Sequence, residues 1–210
     1  MSVNNEQLFS RLANDALSIR RTILKMAYET DGGHHIGGAL SMVEIMCYLY
    51  GQHLNISPSL KHSPERDRFI LSKGHGVLGF YPILHHYSLI SNQNLASYKK
   101  PGSEFISHPI QNLEHGIESS NGSLGHGLSY AAGVAFGLKL QSSPSAVVAL
   151  AGDGECNEGS IWEAAMSASA LNLENLTLIV DCNGHQSDTL SSNLQDLSEL
   201  PLKFTSFGWH

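Results

Sequence analysis

Two apolar runs with a helical pattern between them constrain the fold of this chain more than any other feature. Residues 146–151 (AVVALA) and 176–181 (LTLIVD) are nearly continuous apolar runs, which are typical of strands buried on both faces. Residues 160–171, between the two runs, favour a helix. A strand, a helix and a second strand in this order predict a βαβ unit with parallel strands. We therefore expect an α/β fold, a three-layer, mostly parallel sheet with helices on both faces.

Patterns elsewhere in the chain extend this layout. A capping box, with Ser41 as the N-cap and Glu44 three residues later, predicts the start of a helix that runs to about residue 50. The sequence shows no internal repeat and no linker, so we expect a single domain over residues 1–210. The further predicted elements are helices over 6–30, 128–140 and 196–207, a short strand over 66–72 and a long functional loop over 101–127.

Composition and charge exclude several classes of protein. The 210 residues include 12 Lys+Arg and carry a formal net charge of −7, and no basic run exceeds a dipeptide, which argues against nucleic-acid binding. No apolar run approaches the ~20 residues that span a bilayer, and the N-terminus does not resemble a signal peptide. The three cysteines, Cys47, Cys156 and Cys182, form no CxxC motif, so we expect neither a disulfide framework nor a zinc ribbon. We expect a cytoplasmic protein.

Polar residues follow both strands of the predicted βαβ unit. Asp153 follows the first strand between two glycines, and Asn183 follows the second. The carboxyl ends of parallel strands meet at one edge of the sheet, where ligands bind. A carboxylate and an amide oxygen suit a hard divalent cation such as Mg²⁺ bridging a diphosphate. Taken alone, the Gly-Asp-Gly string is more often a plain turn, but the asparagine after the next strand favours the metal site.

Histidines beside small residues form a second signal. The chain has 12 histidines, and their spacings do not fit a zinc site. The loop over residues 122–127 (GSLGHG) resembles an anion-binding loop, although such loops also serve as plain helix N-caps. The histidines in or beside glycine-, serine- or proline-containing loops are His34, His35, His75, His108, His115, His126 and His185.

These motifs together resemble one family. In this order along the chain, they resemble the thiamine-diphosphate-binding (PP) domain of the transketolases, over about residue 10 to residue 210. The motifs that carry the resemblance are 35–41 (HIGGALS), 67–75 (DRFILSKGH), 122–129 (GSLGHGLS), 152–164 (GDGECNEGSIWEA) and 180–183 (VDCN).

The resemblance implies a role for each matching residue. The metal ion, Mg²⁺ or in its place Ca²⁺ or Mn²⁺, would be held by Asp153, the side chain of Asn183 and the backbone carbonyl of His185. His35 and His108 match catalytic histidines that contact sugar hydroxyls and move protons. The residues implied to bind thiamine diphosphate are His75, Gly122, Ser123, Leu124, Gly154 and Asn183.

Two glutamates match a proton relay. Glu158 and Glu163 correspond to acidic residues at the family's subunit interface, where burial of an acidic pair raises the pKa of one member. Three positions within or beside the matching motifs depart from the family pattern, namely His34, Ile36 and His126. None of these departures removes a cofactor contact, and each bears on the choice of sugar.

The resemblance also implies a reaction and a partner. The complete enzyme would transfer a two-carbon ketol unit from a ketose phosphate to an aldose. The glutamate that activates the cofactor would come from a C-terminal, pyrimidine-binding (Pyr) subunit in a 2+2 heterotetramer. The family's domain continues beyond the Phe-Gly-Trp segment at 207–209, so we expect its last strand to lie outside these residues. The alternatives are an enzyme like 1-deoxyxylulose-phosphate synthase and a non-catalytic assembly subunit that retains the fold.

Overall fold

The computed structural model describes residues 3–186, 189–193 and 199–210. The chain divides into two compact units that alternate along the sequence. The first unit comprises Met1–Ser63 and His75–Ile117, and the second comprises Pro64–Gly74 and Glu118–His210. The expectation of a single domain stays a prediction.

The first unit is helical. Its long helix α1 buries a stripe formed by Ala16, Ile19, Ile23 and Met26, at the spacing of three and four residues that one helix face requires. This face packs against α3 and α4. The helices of the unit are α1 (Val3–Glu29), α2 (Ile36–Leu40), α3 (Val43–Tyr48), α4 (Val77–His86) and α5 (Asn92–Ala96).

The region after α1 corrects the predicted capping box. The helix expected from Ser41 to about residue 50 is observed as α3, which a π-helical turn over Leu49–His53 continues. Its predicted cap is wrong, because Ser41 is the C-cap of α2 rather than an N-cap. The Glu44 carboxylate instead accepts hydrogen bonds from Arg20 of α1. The carboxylate that the local pattern assigned to the capping box is therefore paired with Arg20, which belongs to another helix.

The second unit contains a parallel sheet in the order β1-β2-β3. In the register of the sheet, Arg68 pairs with Val147, and Gly152 pairs with Asp181. All six positions of β2 are buried, as its continuous apolar sequence predicted. The strands are β1 (Arg68–Leu71), β2 (Val147–Gly152) and β3 (Leu176–Asp181), and the helices are α6 (His126–Leu140), α7 (Gly159–Ala170) and α8 (Leu200–Ser206).

Small residues let the two longer helices of this unit pack closely. Alanines of α6 and α7, among them Ala135 and Ala168, lie in one apolar core with Val147 and Ala149 of β2. The indole N–H of Trp209 donates to the Ala165 carbonyl at 2.9 Å, which fastens the chain after α8 to α7. The predicted βαβ unit is therefore confirmed as β2-α7-β3, and its crossover helix lies in the core.

Other expectations are met in part. The predicted helix over 196–207 is observed as α8, which begins at Leu200 with Pro201 in its first turn, while residues 196–198 lie outside the described residues. The loop over 101–127 contains one 3₁₀ turn, Leu113–His115, closed by a bridge between Asn112 and Ile117. Among the described residues, no helix is both long enough and apolar enough to cross a membrane.

Candidate functional site

The ends of β2 and β3 meet at the carboxyl edge of the sheet in the second unit. Asp153 follows β2 directly, and its backbone N–H donates to the Asp181 carbonyl at 3.2 Å. The N–H of Gly184 donates to Asp153 Oδ2 at 3.0 Å, so the segment that carries Asn183 lies against the Asp153 carboxylate. The structure thus brings together the two segments that the sequence placed at this edge.

The carboxylate of Asp153 is buried and fixed by hydrogen bonds. Its side chain accepts from Gly154 N–H at 2.9 Å and from the Ser191 hydroxyl at 2.8 Å, in addition to Gly184 N–H. Asp153 is 5% exposed, and a buried carboxylate needs such donors or a cation. No sequence pattern singles out Ser191, since it lies in a polar stretch without periodicity.

Asn183 and His185 form a compact turn beside this carboxylate. The backbone N–H of His185 donates to Asn183 Oδ1 at 2.9 Å, and His185 Nδ1 lies 2.9 Å from the Asn183 carbonyl oxygen. The three predicted ligand groups are a carboxylate, a side-chain amide oxygen and a carbonyl oxygen, which are oxygen donors of the kind that Mg²⁺ and Ca²⁺ prefer. Within the described residues, no group of three or more His, Cys, Asp or Glu side chains could hold a metal ion. A cation at this edge would therefore share its coordination with backbone, amide and ligand oxygens.

An unpaired buried donor lies beside the Gly-Asp-Gly turn. The side-chain nitrogen Nε2 of Gln186 is buried and has no hydrogen-bond partner among the described residues. A Cβ on Gly154 would lie 2.7 Å from Gln186 Cγ, so the glutamine side chain lies directly against this glycine. A buried N–H₂ group without an acceptor fits an anionic ligand at this turn, and the residues present are compatible with a metal-bound diphosphate.

A buried glutamate of the 152–164 motif, for which no role was predicted, organises the loops around the site. Glu155 is 1% exposed, and its Oε1 accepts from the Ser72 hydroxyl at 2.6 Å and from Gly125 N–H at 2.8 Å. Its Oε2 accepts from Gly152 N–H at 3.2 Å. Burial raises the pKa of Glu155, although these hydrogen bonds oppose the rise. One carboxylate thus connects the ends of β1 and β2 with the loop before α6.

That loop carries three of the predicted cofactor contacts. Gly122 and Ser123 are exposed and Leu124 is half-buried. Gly125, with φ of +86°, adopts a left-handed conformation that favours glycine, and its carbonyl accepts from the Ser160 hydroxyl at 3.0 Å. The loop is therefore anchored at Gly125 and presents residues 122–124 outward.

A second buried charged pair lies at the same edge. Lys73 is 0% exposed, and its Nζ donates to Asp181 Oδ2 at 2.6 Å. Lysine is almost never fully buried unless it is paired. The sequence placed Lys73 in a family motif, but no local pattern indicated this partner, which lies 108 residues further along the chain.

Two of the histidines predicted for the site lie side by side in the first unit. The rings of His35 and His75 lie edge to face, with centroids 5.2 Å apart. His34 Nε2 lies 2.9 Å from the Thr30 carbonyl oxygen, at the end of α1. His108 is exposed. Two of the three predicted site histidines of this unit, His35 and His75, are thus in ring contact.

The two glutamates predicted for a proton relay are exposed. Glu158 and Glu163 lie at the start of α7 and within it, on the surface of the second unit. A buried acid whose pKa is raised by burial, Glu155, lies three residues before Glu158. The role of Glu158 and Glu163 at a subunit interface stays a prediction.

Comparisons with known proteins show which family the chain belongs to. The family described as "Transketolase, thiamine diphosphate binding domain" matches residues 13–210. The chain is 38% identical over 200 residues to a subunit of apulose-4-phosphate transketolase from Actinobacillus succinogenes, covering 95% of this chain and 72% of that protein. It is 36% identical over 199 residues to a 6-deoxy-6-sulfo-D-fructose transketolase subunit from a Clostridium species, with the same two shares covered.

A solved structure confirms the predicted fold class. Transketolase from Leishmania mexicana superposes with a TM-score of 0.87 at 24% identity, covering 95% of this chain and 31% of that chain. The α/β fold with a parallel sheet flanked by helices is therefore the transketolase fold, and this chain matches about a third of the length of that protein. The chain belongs to the transketolase family, and residues 13–210 are its thiamine diphosphate binding domain.

Proposed function

We propose that this chain binds thiamine diphosphate with a divalent metal ion at the carboxyl edge of its sheet and is one component of an enzyme that transfers a two-carbon ketol unit from a ketose phosphate to an aldose. The observation that carries the proposal is the convergence of the Asp153 turn with the segment of Asn183. When bound, thiamine diphosphate supplies the nucleophilic carbon and the electron sink for breaking a carbon–carbon bond of the ketose. The contribution of the chain is to bind and orient the reactants and to exchange protons with them.

The metal ion would take its protein ligands from the turn after β2 and from the segment that follows β3. Asp153 offers a buried carboxylate, and Asn183 and the carbonyl of His185 offer neutral oxygens. This set carries a single negative charge, which leaves half of the charge of a divalent ion for diphosphate oxygens. We propose Mg²⁺ as the ion, with Ca²⁺ or Mn²⁺ as substitutes that have the same preference for oxygen.

The diphosphate would lie against backbone that lacks large side chains. Gly154 and the loop residues Gly122, Ser123 and Leu124 are proposed to contact the cofactor, and the unpaired Nε2 of Gln186 supplies one further donor. Oriented N–H groups and glycines are the usual means of binding phosphate. No basic side chain is required at these positions, because the metal ion supplies the positive charge.

The roles of the histidines and glutamates follow from the family resemblance. We propose that His75 hydrogen-bonds the phosphate end of the cofactor and that His35 and His108 contact sugar hydroxyls and exchange protons with them. Imidazole can donate or accept a proton near neutral pH, which suits both tasks. Glu158 and Glu163 are proposed to meet the partner subunit, since exposed acidic side chains are available for such contacts.

The proposed partner is a subunit that carries the Pyr domain. Two relatives are named as subunits, one of apulose-4-phosphate transketolase and one of 6-deoxy-6-sulfo-D-fructose transketolase. We propose that this chain also assembles with a partner, as a 2+2 heterotetramer with the cofactor at the subunit interface. The carboxylate that activates the cofactor would come from that partner, so this chain alone would bind the metal-diphosphate weakly and turn over no sugar.

Calorimetry tests the binding proposal directly. Titration of the full chain with thiamine diphosphate should give heat in the presence of Mg²⁺ and none in the presence of EDTA. Asp153→Ala should abolish this binding, while Asp31→Ala, at an exposed aspartate of the first unit, should leave it unchanged. Thermal unfolding of both variants shows whether a loss of binding reflects a loss of folding. Binding by Asp153→Ala equal to that of the unaltered chain would refute the site.

The two-subunit proposal has its own test. The chain alone should show no ketol transfer in a coupled assay, and addition of a Pyr-domain subunit should restore it. Ketol transfer by the isolated chain would refute the need for a partner without affecting the metal site.

A further inference from the structure

The stability of the fold does not by itself explain the buried ion pair of Lys73 and Asp181. Moving two charges out of water costs free energy that their attraction often does not recover, and replacing a buried ion pair with apolar residues of similar size is often neutral or stabilising. Lys73 is nonetheless 0% exposed and Asp181 is 6% exposed, with Nζ and Oδ2 at 2.6 Å. The location of the pair indicates what it can do beyond stabilising the core.

Lys73 connects two strands that are not neighbours. In the order β1-β2-β3, Lys73 follows β1 and Asp181 ends β3, so the pair spans the end of β2. Adjacent strands lie about 4.8 Å apart, and only a long side chain crosses two such spacings. The preceding residue, Ser72, donates to Glu155 in the turn after β2. Two consecutive residues after β1 therefore bind the turn after β2 and the last residue of β3.

Asp181 links Lys73 to both segments that carry the proposed metal ligands. Its carbonyl accepts the N–H of Asp153 at 3.2 Å, and Asn183 follows it by two residues. The side chain of Asp181, held by Lys73, thus fixes the peptide that orients Asp153 and the start of the turn that carries Asn183. Loss of the Lys73 contact would free the end of β3 at the point where the two ligand segments meet.

We propose that Lys73 is a positioning residue for the metal-diphosphate site, acting through Asp181. The inference rests on the proposed function, because it concerns the site to which cofactor binding is assigned there. Lys73 needs no contact with the cofactor in this role. Partners of metal ligands commonly act in this way, and their substitution costs about 10- to 100-fold in metal affinity.

The same strand offers a matched control. At the amino end of β1, the Glu118 carboxylate forms a buried ion pair with Arg66, and Arg68 Nε lies 3.8 Å from its Oε2. Arg66 is 5% exposed and Glu118 is 7% exposed, so the two pairs are alike in burial. The control pair lies at the amino end of the sheet, away from the carboxyl edge that carries Asp153. Its removal perturbs the same unit without touching the end of β3.

The experiment separates positioning from stability with paired variants. Lys73→Met leaves the Asp181 carboxylate buried without its cation, so it should lower both the unfolding midpoint and the affinity for Mg²⁺ with thiamine diphosphate. The double variant Lys73→Met/Asp181→Leu should recover the unfolding midpoint, yet its dissociation constant, measured by calorimetry on the full chain, should stay at least about 10-fold above that of the unaltered chain. Arg66→Met/Glu118→Leu should bind within about 2-fold of the unaltered chain, since it lies outside the ligand segments.

Free Mn²⁺ measured by electron paramagnetic resonance gives a second readout, independent of activity. Retention of Mn²⁺ in the presence of thiamine diphosphate should fall in the Lys73→Met/Asp181→Leu variant and persist in the control. If that variant does not fold, Lys73→Gln/Asp181→Asn replaces it, since the shorter neutral side chain of glutamine cannot span β2, and the same loss is expected.

Three outcomes would overturn the proposal. One is a double variant at Lys73 and Asp181 that binds as tightly as the unaltered chain. The second is an equal loss of affinity in the control pair, which would assign the effect to general loosening of the unit. The third is a failure of the unaltered chain to bind Mg²⁺ with thiamine diphosphate. Because this result appears without any substitution, it refutes the proposed function together with the inference, and it is distinguishable from a failure of the inference alone.

Discussion

Replacing Gly127 with alanine tests how tightly α6 packs against the end of β1. A Cβ at Gly127 would lie 2.5 Å from both Cα and Cβ of Ser72, whereas ordinary contacts at such positions lie at 3.4–4 Å. The helix or the strand end would therefore have to shift by roughly 1 Å, and overpacking of this kind costs about 1–3 kcal/mol. The higher helix propensity of alanine returns at most about 1 kcal/mol. We expect Gly127→Ala to lower the free energy of unfolding by about 1–2 kcal/mol.

The shift should also reach the candidate site. The hydroxyl of Ser72 donates to Glu155 at 2.6 Å, and Glu155 in turn holds Gly125 and Gly152. Displacement of Ser72 should therefore weaken the binding of Mg²⁺ with thiamine diphosphate as well as the fold. The two effects are read separately, by urea unfolding followed by circular dichroism and by calorimetric titration.

Gly133 of the same helix provides the control. A Cβ there would meet nothing within 4 Å, so Gly133→Ala should raise the free energy of unfolding by about 0.5–1 kcal/mol through helix propensity alone. The same substitution in one helix should thus have opposite signs at two positions. Stability of Gly127→Ala equal to or above that of the unaltered chain would refute the packing argument.

Two further predictions concern titratable side chains. Burial raises the pKa of the Cys47 and Cys156 thiols to about 12. Iodoacetamide at pH 8 should therefore label the exposed Cys182 first. Equal labelling of all three cysteines, measured by peptide mass spectrometry, would contradict this. The hydrogen bond from Arg20 lowers the pKa of Glu44, so the pair stabilises the fold above the ordinary pKa of a glutamate and ceases to do so as the pH falls through the lowered value. Glu44→Gln should therefore cost about 0.2–1 kcal/mol at pH 7, as exposed pairs do, with the difference vanishing in acid. A pH-independent difference would exclude the ion pair as its cause.

The parts of the structure that the sequence predicted are those with local, repeated signals. Continuous apolar runs identified β2 and β3, and the spacing of three and four identified α1. The residues Asp153 and Asn183 could be placed at one edge because parallel strands end on the same side. Each of these inferences needs only the neighbours in the chain and a rule of sheet geometry.

Contacts between distant segments explain what the sequence did not show. Glu155 lies in a polar turn with no periodicity, yet it is buried because Ser72 and Gly125 donate to it from other parts of the chain. The predicted capping box failed for the same reason, since Arg20 of α1 takes the carboxylate of Glu44. Polar side chains with partners far along the chain carry no local pattern, and only the three-dimensional structure identifies them.

The alternation of the two units along the chain has a consequence for biosynthesis. Asp67, next to β1, accepts a hydrogen bond from Ala146, next to β2, across a separation of 79 residues. At the usual rate of translation, about 5–20 residues per second, β1 leaves the ribosome roughly 4–16 s before β2 can pair with it. During that interval its apolar sequence Phe69–Leu71 has no strand partner from β2. Association of the nascent chain with a chaperone should therefore be strongest between the synthesis of β1 and that of β2, while the segment of the first unit made in between can already fold onto α1.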